Sequence, residues 1–145
     1  MKAKRLYSIT VDIAAPQERI WEVMSDVEHW HTWTPSVRKI RRLDRGPFTL
    51  DSKVLIYQPK LPPALWKATA FEEGRSFTWI SRGPGIRVTA HHTIEPITGG
   101  SRVMLSVQYE GILAGMVSRL TASINDRYLG YEAEGLKKKC EEKHS

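Results

Sequence analysis

Hydrophobic and polar residues alternate strictly at the start of the chain. In the segment Tyr7-Ser8-Ile9-Thr10-Val11-Asp12-Ile13, a period of two predicts a half-buried strand with Tyr7, Ile9, Val11 and Ile13 inward. Pro16 then suits the first turn of a helix, and Glu18 suits the positive end of the helix dipole. Ile20, Trp21, Val23, Met24 and Val27 follow at helical spacing, which predicts an amphipathic helix of about three turns. Glu28 to Pro35 reads as a short irregular helix or turn closed by its proline. From Ser36 to Glu110 about six strands are expected, punctuated at Gly46-Pro47, Pro62-Pro63, Glu73-Gly74, Gly83-Pro84-Gly85 and Gly99-Gly100. Within them Phe77 and Trp79 face inward, as do Ile86, Val88, Ala90, His92 and Ile94. Val103, Leu105, Val107 and Tyr109 do the same after the Gly99-Gly100 hairpin. The segment Gly115 to Lys143 lacks proline, and Val117, Leu120, Ile124, Tyr128 and Tyr131 recur at three and four, widened by Leu129 and Leu136. One helix of about 27 residues, roughly 40 Å long, is expected. A helix this long spans a sheet face only if the sheet curves around it, and small ligands bind in the space such a grip leaves.

Composition narrows the picture. The chain has 145 residues, 41% of them hydrophobic, enough for one domain over 1–145 with a core that needs no disulfide or metal. The single cysteine, Cys140, excludes an internal disulfide and favours a cytoplasmic setting. No stretch reaches the ~18 apolar residues of a membrane span, and Lys2, Lys4 and Arg5 precede an alternating segment rather than a signal-peptide core. The net charge of +6 is spread over both halves, with 12 basic and 8 acidic residues in 1–72 and 10 and 8 in 73–145. The densest basic run, Arg38 to Arg45, reads as a solvated strand face, and the lysines of the last helix complement its dipole. Nucleic acid is therefore not an expected partner.

The order strand, helix, short helix, antiparallel strands, long helix, with its particular residues, resembles the START-like (SRPBCC) superfamily, the helix-grip fold, in its bacterial polyketide cyclase/dehydrase-like branch. The passage Ile13-Ala14-Ala15-Pro16 through Asp26-Val27-Glu28-His29-Trp30 is similar to that family's opening, and Trp33-Thr34-Pro35, Trp66, Phe77-Thr78-Trp79, Gly99-Gly100-Ser101 and Glu134-Gly135-Leu136-Lys137 fit it too. The resemblance implies an α+β fold: a seven-stranded antiparallel curved sheet wrapped around a long C-terminal helix, with two short helices near the N-terminus. It implies a ligand cavity between sheet and helix, and no single catalytic motif to carry over.

The chemistry legible in the chain is sparse. His29 and His31 lie in a helix–turn region, and His91 and His92 point to opposite strand faces, so no metal site is expected; no cofactor motif is present either. No G-x-S-x-G elbow occurs, and Gly83-Pro84-Gly85 fits a tight turn better than a phosphate loop. What remains is a set facing the expected cavity: Trp30, Trp33, Trp66, Trp79, His92, Tyr109, Thr121, Ile124 and Tyr128. A histidine among aliphatics commonly makes a core hydrogen bond. The functional alternative has His92, Tyr109 and Tyr128 orienting a small hydrophobic ligand, lipid or polyketide-like, in a carrier or sensor. In the enzymatic alternative, a cyclase or dehydratase, His92 acts as general base with a phenol such as Tyr128 as acid. A third reading is a partner-binding module acting through Arg38–Arg45 with salt-sensitive contacts; a homodimer is an assembly to test.

Overall fold

Period-two patterning sets the sheet. The computed structural model describes residues 5–142; Lys2, Lys4, Lys143 and His144 lie outside them. Strand β1 (Leu6–Ile13) is followed by helix α1 (Gln17–Ser25) and a 3-10 helix (Val27–Thr32). Strands β2 (Lys39–Arg42), β3 (Lys53–Tyr57), β4 (Ala64–Glu72), β5 (Ser76–Gly83), β6 (Ile86–Ile97) and β7 (Gly100–Glu110) come next. Helices α2 (Ala114–Leu120) and α3 (Ala122–Glu141) close the chain. All seven strands form one antiparallel sheet in the order β1-β7-β6-β5-β4-β3-β2. This is the α+β helix-grip architecture that the sequence implied.

The expected inner faces form. Tyr7, Ile13, Phe77, Trp79, Ala90, His92, Ile94, Val103, Leu105 and Tyr109 are all buried. Ile20, Trp21, Val23 and Met24 bury the inward side of α1, whose cap is Pro16 rather than a proline inside the first turn. Arg42 departs from the solvated face expected of its run. Its side chain is 10% exposed, bonded to Asp44 at 2.9 Å and facing Glu28 at 3.6 Å.

The C-terminal segment differs from the single helix expected. It breaks at Thr121 (φ −107, ψ 9) into α2 and α3. Thr121 Oγ1 donates back to the Val117 carbonyl at 2.8 Å, a local bond that competes with helix geometry, and the Tyr109 hydroxyl from β7 lies 3.3 Å from Thr121 Oγ1. The buried stripe is shifted as well. Leu129, Ala133, Leu136 and Cys140 face the core, whereas Leu120 and Tyr131 are exposed. Gly135 permits this packing, because a Cβ there would fall on the Trp33 carbonyl oxygen. No helix among the described residues is long and apolar enough to cross a membrane.

Candidate functional site

The inner face of β5, β6 and β7 stands off from α2 and α3 and encloses a cavity of about 320 Å³, within the ~300–1,000 Å³ range of small-molecule pockets. Its wall is largely aliphatic and aromatic: Ile56, Val88, Ala90, Leu105 and Val107 alternate out of the strands, and Leu129 comes from α3. The end nearest α1 is closed by Trp30, which is buried. At the other end Gln58, Leu61 and Pro62 of the β3–β4 loop face Thr121 and Asn125, all half-buried or exposed, and there the cavity opens.

Strand alternation brings His92 to this wall and sends His91 to the outer face, where its Nδ1 bonds Thr78 at 2.9 Å. The His92 ring stacks on Phe77 (4.2 Å between centroids, 12° between planes) and meets Trp79 edge-on at 5.4 Å. Trp30 lies 5.6 Å away. Nδ1 is 3.3 Å from the Phe77 carbonyl. A carbonyl only accepts, so Nδ1 carries the proton and Nε2 is left as a lone pair. Burial holds the imidazole neutral, down to about 3, against a smaller opposing effect of the Phe77 carbonyl.

Facing His92 from α3 is Glu132, which shares with it both the main cavity and a small adjoining void lined by Met24, Trp30, Trp33, Leu105 and Leu136. Burial pushes the Glu132 carboxyl up to about 7, and a hydrogen bond with Ser36 works in the opposite direction. Ser36 is itself fully buried and bonded to Thr34 at 2.9 Å.

Toward the opening, Tyr109 donates its hydroxyl proton to Asn125 Oδ1 at 2.9 Å. Tyr128 donates to the Pro59 carbonyl, tying α3 to the β3–β4 loop; burial raises its pKa. Trp66 packs 5.8 Å from Trp79, and its indole N–H is buried without a partner among the described residues.

Seven of the nine residues expected to line a pocket are brought together here: Trp30, Trp66, Trp79, His92, Tyr109, Thr121 and Tyr128. Ile124 is outside the lining, since the break at Thr121 turns Asn125 inward instead. Trp33 borders a separate polar cleft of about 450 Å³ with His31, Pro35, Gly135 and Lys138. Gln58, Ser81, Ser106, Asn125 and Glu132 are lining polar residues outside the expected set; for Asn125 and Glu132 a spacing of seven, with Thr121 four residues before Asn125, was the available signal. Among the described residues no group of three or more His, Cys, Asp or Glu side chains is placed to hold a metal. Burial pushes the Cys140 thiol up to about 11, which leaves it a poor nucleophile.

A family model described as polyketide cyclase / dehydrase and lipid transport matches residues 6–141. No curated protein sequence matches the chain. Among solved structures, the Zhui aromatase/cyclase of a Streptomyces species superposes with a TM-score of 0.76 at 15% identity, over 94% of this chain and 93% of that one. A START superfamily protein from Mycobacterium smegmatis gives 0.73 at 18% identity over 94% and 99%. A Thermus thermophilus protein gives 0.74 at 18% over 93% and 96%. At these identities the likeness is one of fold.

Proposed function

The chain belongs to the polyketide cyclase / dehydrase and lipid transport family, and from that premise we propose that it binds one small hydrophobic or aromatic molecule between sheet and α3, as a carrier or sensor. The observation that carries this reading is an apolar cavity interrupted by a few separated polar groups. Trp66 offers a donor with no partner among the described residues, and the neutral His92 offers an acceptor. The two are two ring contacts apart, 5.8 and 5.4 Å through Trp79. A ligand with an apolar body, one carbonyl or ether oxygen and one hydroxyl would satisfy both. Titration of the protein with oleate and with a polycyclic phenol tests this, read by tryptophan fluorescence and native mass spectrometry. Saturable quenching with 1:1 stoichiometry is expected. It should be abolished by Val88→Phe, which projects a ring into the cavity. Quenching that survives this substitution would place the ligand elsewhere.

One observation favours an enzymatic second reading. In a cyclase- or dehydratase-type reaction a group near neutrality transfers protons most effectively. Glu132, at about 7, fits that role better than His92, at about 3, whose place is that of an acceptor orienting the substrate. Tyr128, engaged with Pro59, is less available as an acid. Glu132→Gln should then abolish turnover while ligand affinity is kept; unchanged turnover would leave the carrier reading alone.

A further inference from the structure

One end of the molecule departs from the usual rule that a surface helix turns polar side chains to water. The ten residues after β7 include Ile112, Leu113, Met116 and Leu120, which are 92%, 38%, 55% and 73% exposed. Helix α2 buries Ala114 and Ser118 beneath itself and turns Val117 to the cavity. Its outward side is apolar except for Arg119. These side chains are held in place by the turn below them. The Leu113 N–H donates to the Gly85 carbonyl at 2.9 Å. Gly85 (φ +72) lies so close that a Cβ on it would meet Leu113 Cγ at 3.0 Å and Ile112 Cγ1 at 3.2 Å.

Charge at this end is one-sided. The stretches nearest the cavity opening, residues 58–67, 81–89 and 111–125, contain no Asp or Glu, although the chain has 16 and Glu110 and Asp126 flank the last of them. They carry Lys60, Lys67, Arg82, Arg87 and Arg119. Lys67 faces Asp51 at 3.6 Å and Arg87 is bonded to Glu110 at 2.6 Å. Lys60, Arg82 and Arg119 are exposed and make no ion pair among the described residues. Exposed aliphatic tips beside three cations that have no ion pair among the described residues, with the adjoining acid Glu110 engaged by Arg87, complement an anionic, deformable, apolar-cored surface. Four side chains are far fewer than the ~20–30 residues per side of a stable protein interface, which argues against a second copy of the chain as occupant.

We propose that this end docks on an anionic phospholipid bilayer, with Ile112, Leu113, Met116 and Leu120 entering the acyl boundary and Lys60, Arg82 and Arg119 meeting headgroup phosphates. The cavity opening then faces the membrane, and a ligand exchanges between bilayer and cavity without crossing bulk water. The exchange rests on the carrier reading; the docking does not. So small an apolar insertion holds weakly and reversibly, and it needs the electrostatic attraction as a second signal.

Flotation of the whole chain with phosphatidylcholine vesicles, and with vesicles also containing phosphatidylglycerol, tests the proposal. Binding is expected to the anionic vesicles only, and to fall as salt is raised. The double variant Ile112→Ser/Leu120→Ser should lower partitioning by about tenfold or more. Arg82→Glu/Arg119→Glu should lower it comparably while leaving the apolar tips in place. Far-UV circular dichroism verifies that each variant is folded, and none of the substituted residues lines the cavity. Retained quenching by oleate in both variants therefore separates a failure of docking from a failure of ligand binding. Absence of wild-type binding to anionic vesicles, or binding that both variants keep, overturns the proposal. So does an effect of the serine variant that appears only as loss of a dimer in light scattering.

Discussion

Two titratable side chains line the cavity with opposite displacements, and their effects on stability oppose each other. Glu132 is raised from 4.5 to about 7 by burial. The folded chain therefore holds this proton more tightly than the unfolded chain. Its contribution is complete below pH 4.5 and is lost as pH rises through about 7. His92 is lowered from 6.5 to about 3, so its contribution is complete above pH 6.5 and is lost as pH falls toward 3. Between pH 4.5 and 6.5 the two slopes oppose; above 6.5 only that of Glu132 remains. Glu132→Gln removes it. Relative to wild type, the variant should gain on the order of 2 kcal/mol of unfolding free energy between pH 4.5 and about pH 8, after allowance for the half-buried position. Urea melts at both pH values check this, and a constant difference would mean a carboxyl that titrates as in water. Of this pair, His92 was legible in the sequence because strand alternation assigns its face without knowledge of the rest. Glu132 was not, since a charged residue in an amphipathic helix is assigned to solvent unless a cavity is known to face it. The roles changed too: tautomer and burial make His92 an acceptor, which no residue-type argument could supply.

The helices show where pattern reasoning holds and where it fails at the level of elements. Alternation placed β1, β5, β6 and β7 with their correct faces because each has a wet and a dry side. The C-terminal segment has no glycine or proline at its break. Thr121 interrupts it through a side-chain bond to Val117 and a contact from Tyr109, twelve residues earlier in sequence but on the sheet. A tertiary contact of that kind leaves no local signal. Two glycines in α3 allow a matched test of its packing. Nothing lies within 4 Å of a Cβ built at Gly130, whereas one at Gly135 strikes the backbone of Trp33. Gly130→Ala should stabilise by about 0.5–1 kcal/mol through lower unfolded-chain entropy and better helix propensity. Gly135→Ala should destabilise by about 1–3 kcal/mol despite the same propensity gain, because α3 must lift from the segment after the 3-10 helix. Chemical denaturation of the two variants side by side measures both. Equal effects would mean that α3 does not press on Trp33.

For the whole molecule the question is what holds a cavity open inside a domain of this size. The last helix is fastened to the first strand and its exit. The Ala14 N–H donates to the Glu141 carboxylate at 2.8 Å, and Lys137 Nζ donates to the Asp12 carbonyl at 2.9 Å. On the sheet β1 pairs with β7, setting Leu6 opposite Gln108 and Ile13 opposite Ser101. The aromatic cluster of Trp21, Trp30, Phe48, Phe77 and Trp79 fills the end near α1, so packing is concentrated there and the space lies toward α2. Chain order implied the grip, but the volume left inside it depends on how far α3 stands from the sheet, which only assembled side chains decide. Apolar walls facing each other across about 320 Å³ lack the contacts that a filled core would make. A ligand that supplies them binds the folded chain and not the unfolded one. At about a hundred times its dissociation constant it should add about 2.7 kcal/mol to stability, raising Tm by roughly 5–10 °C for a domain of this length. Thermal scans of wild type and Val88→Phe with and without oleate provide the comparison: the shift should be present in the first and absent in the second. An equal shift in both would locate the stabilising molecule on the surface and remove the cavity from the account of function.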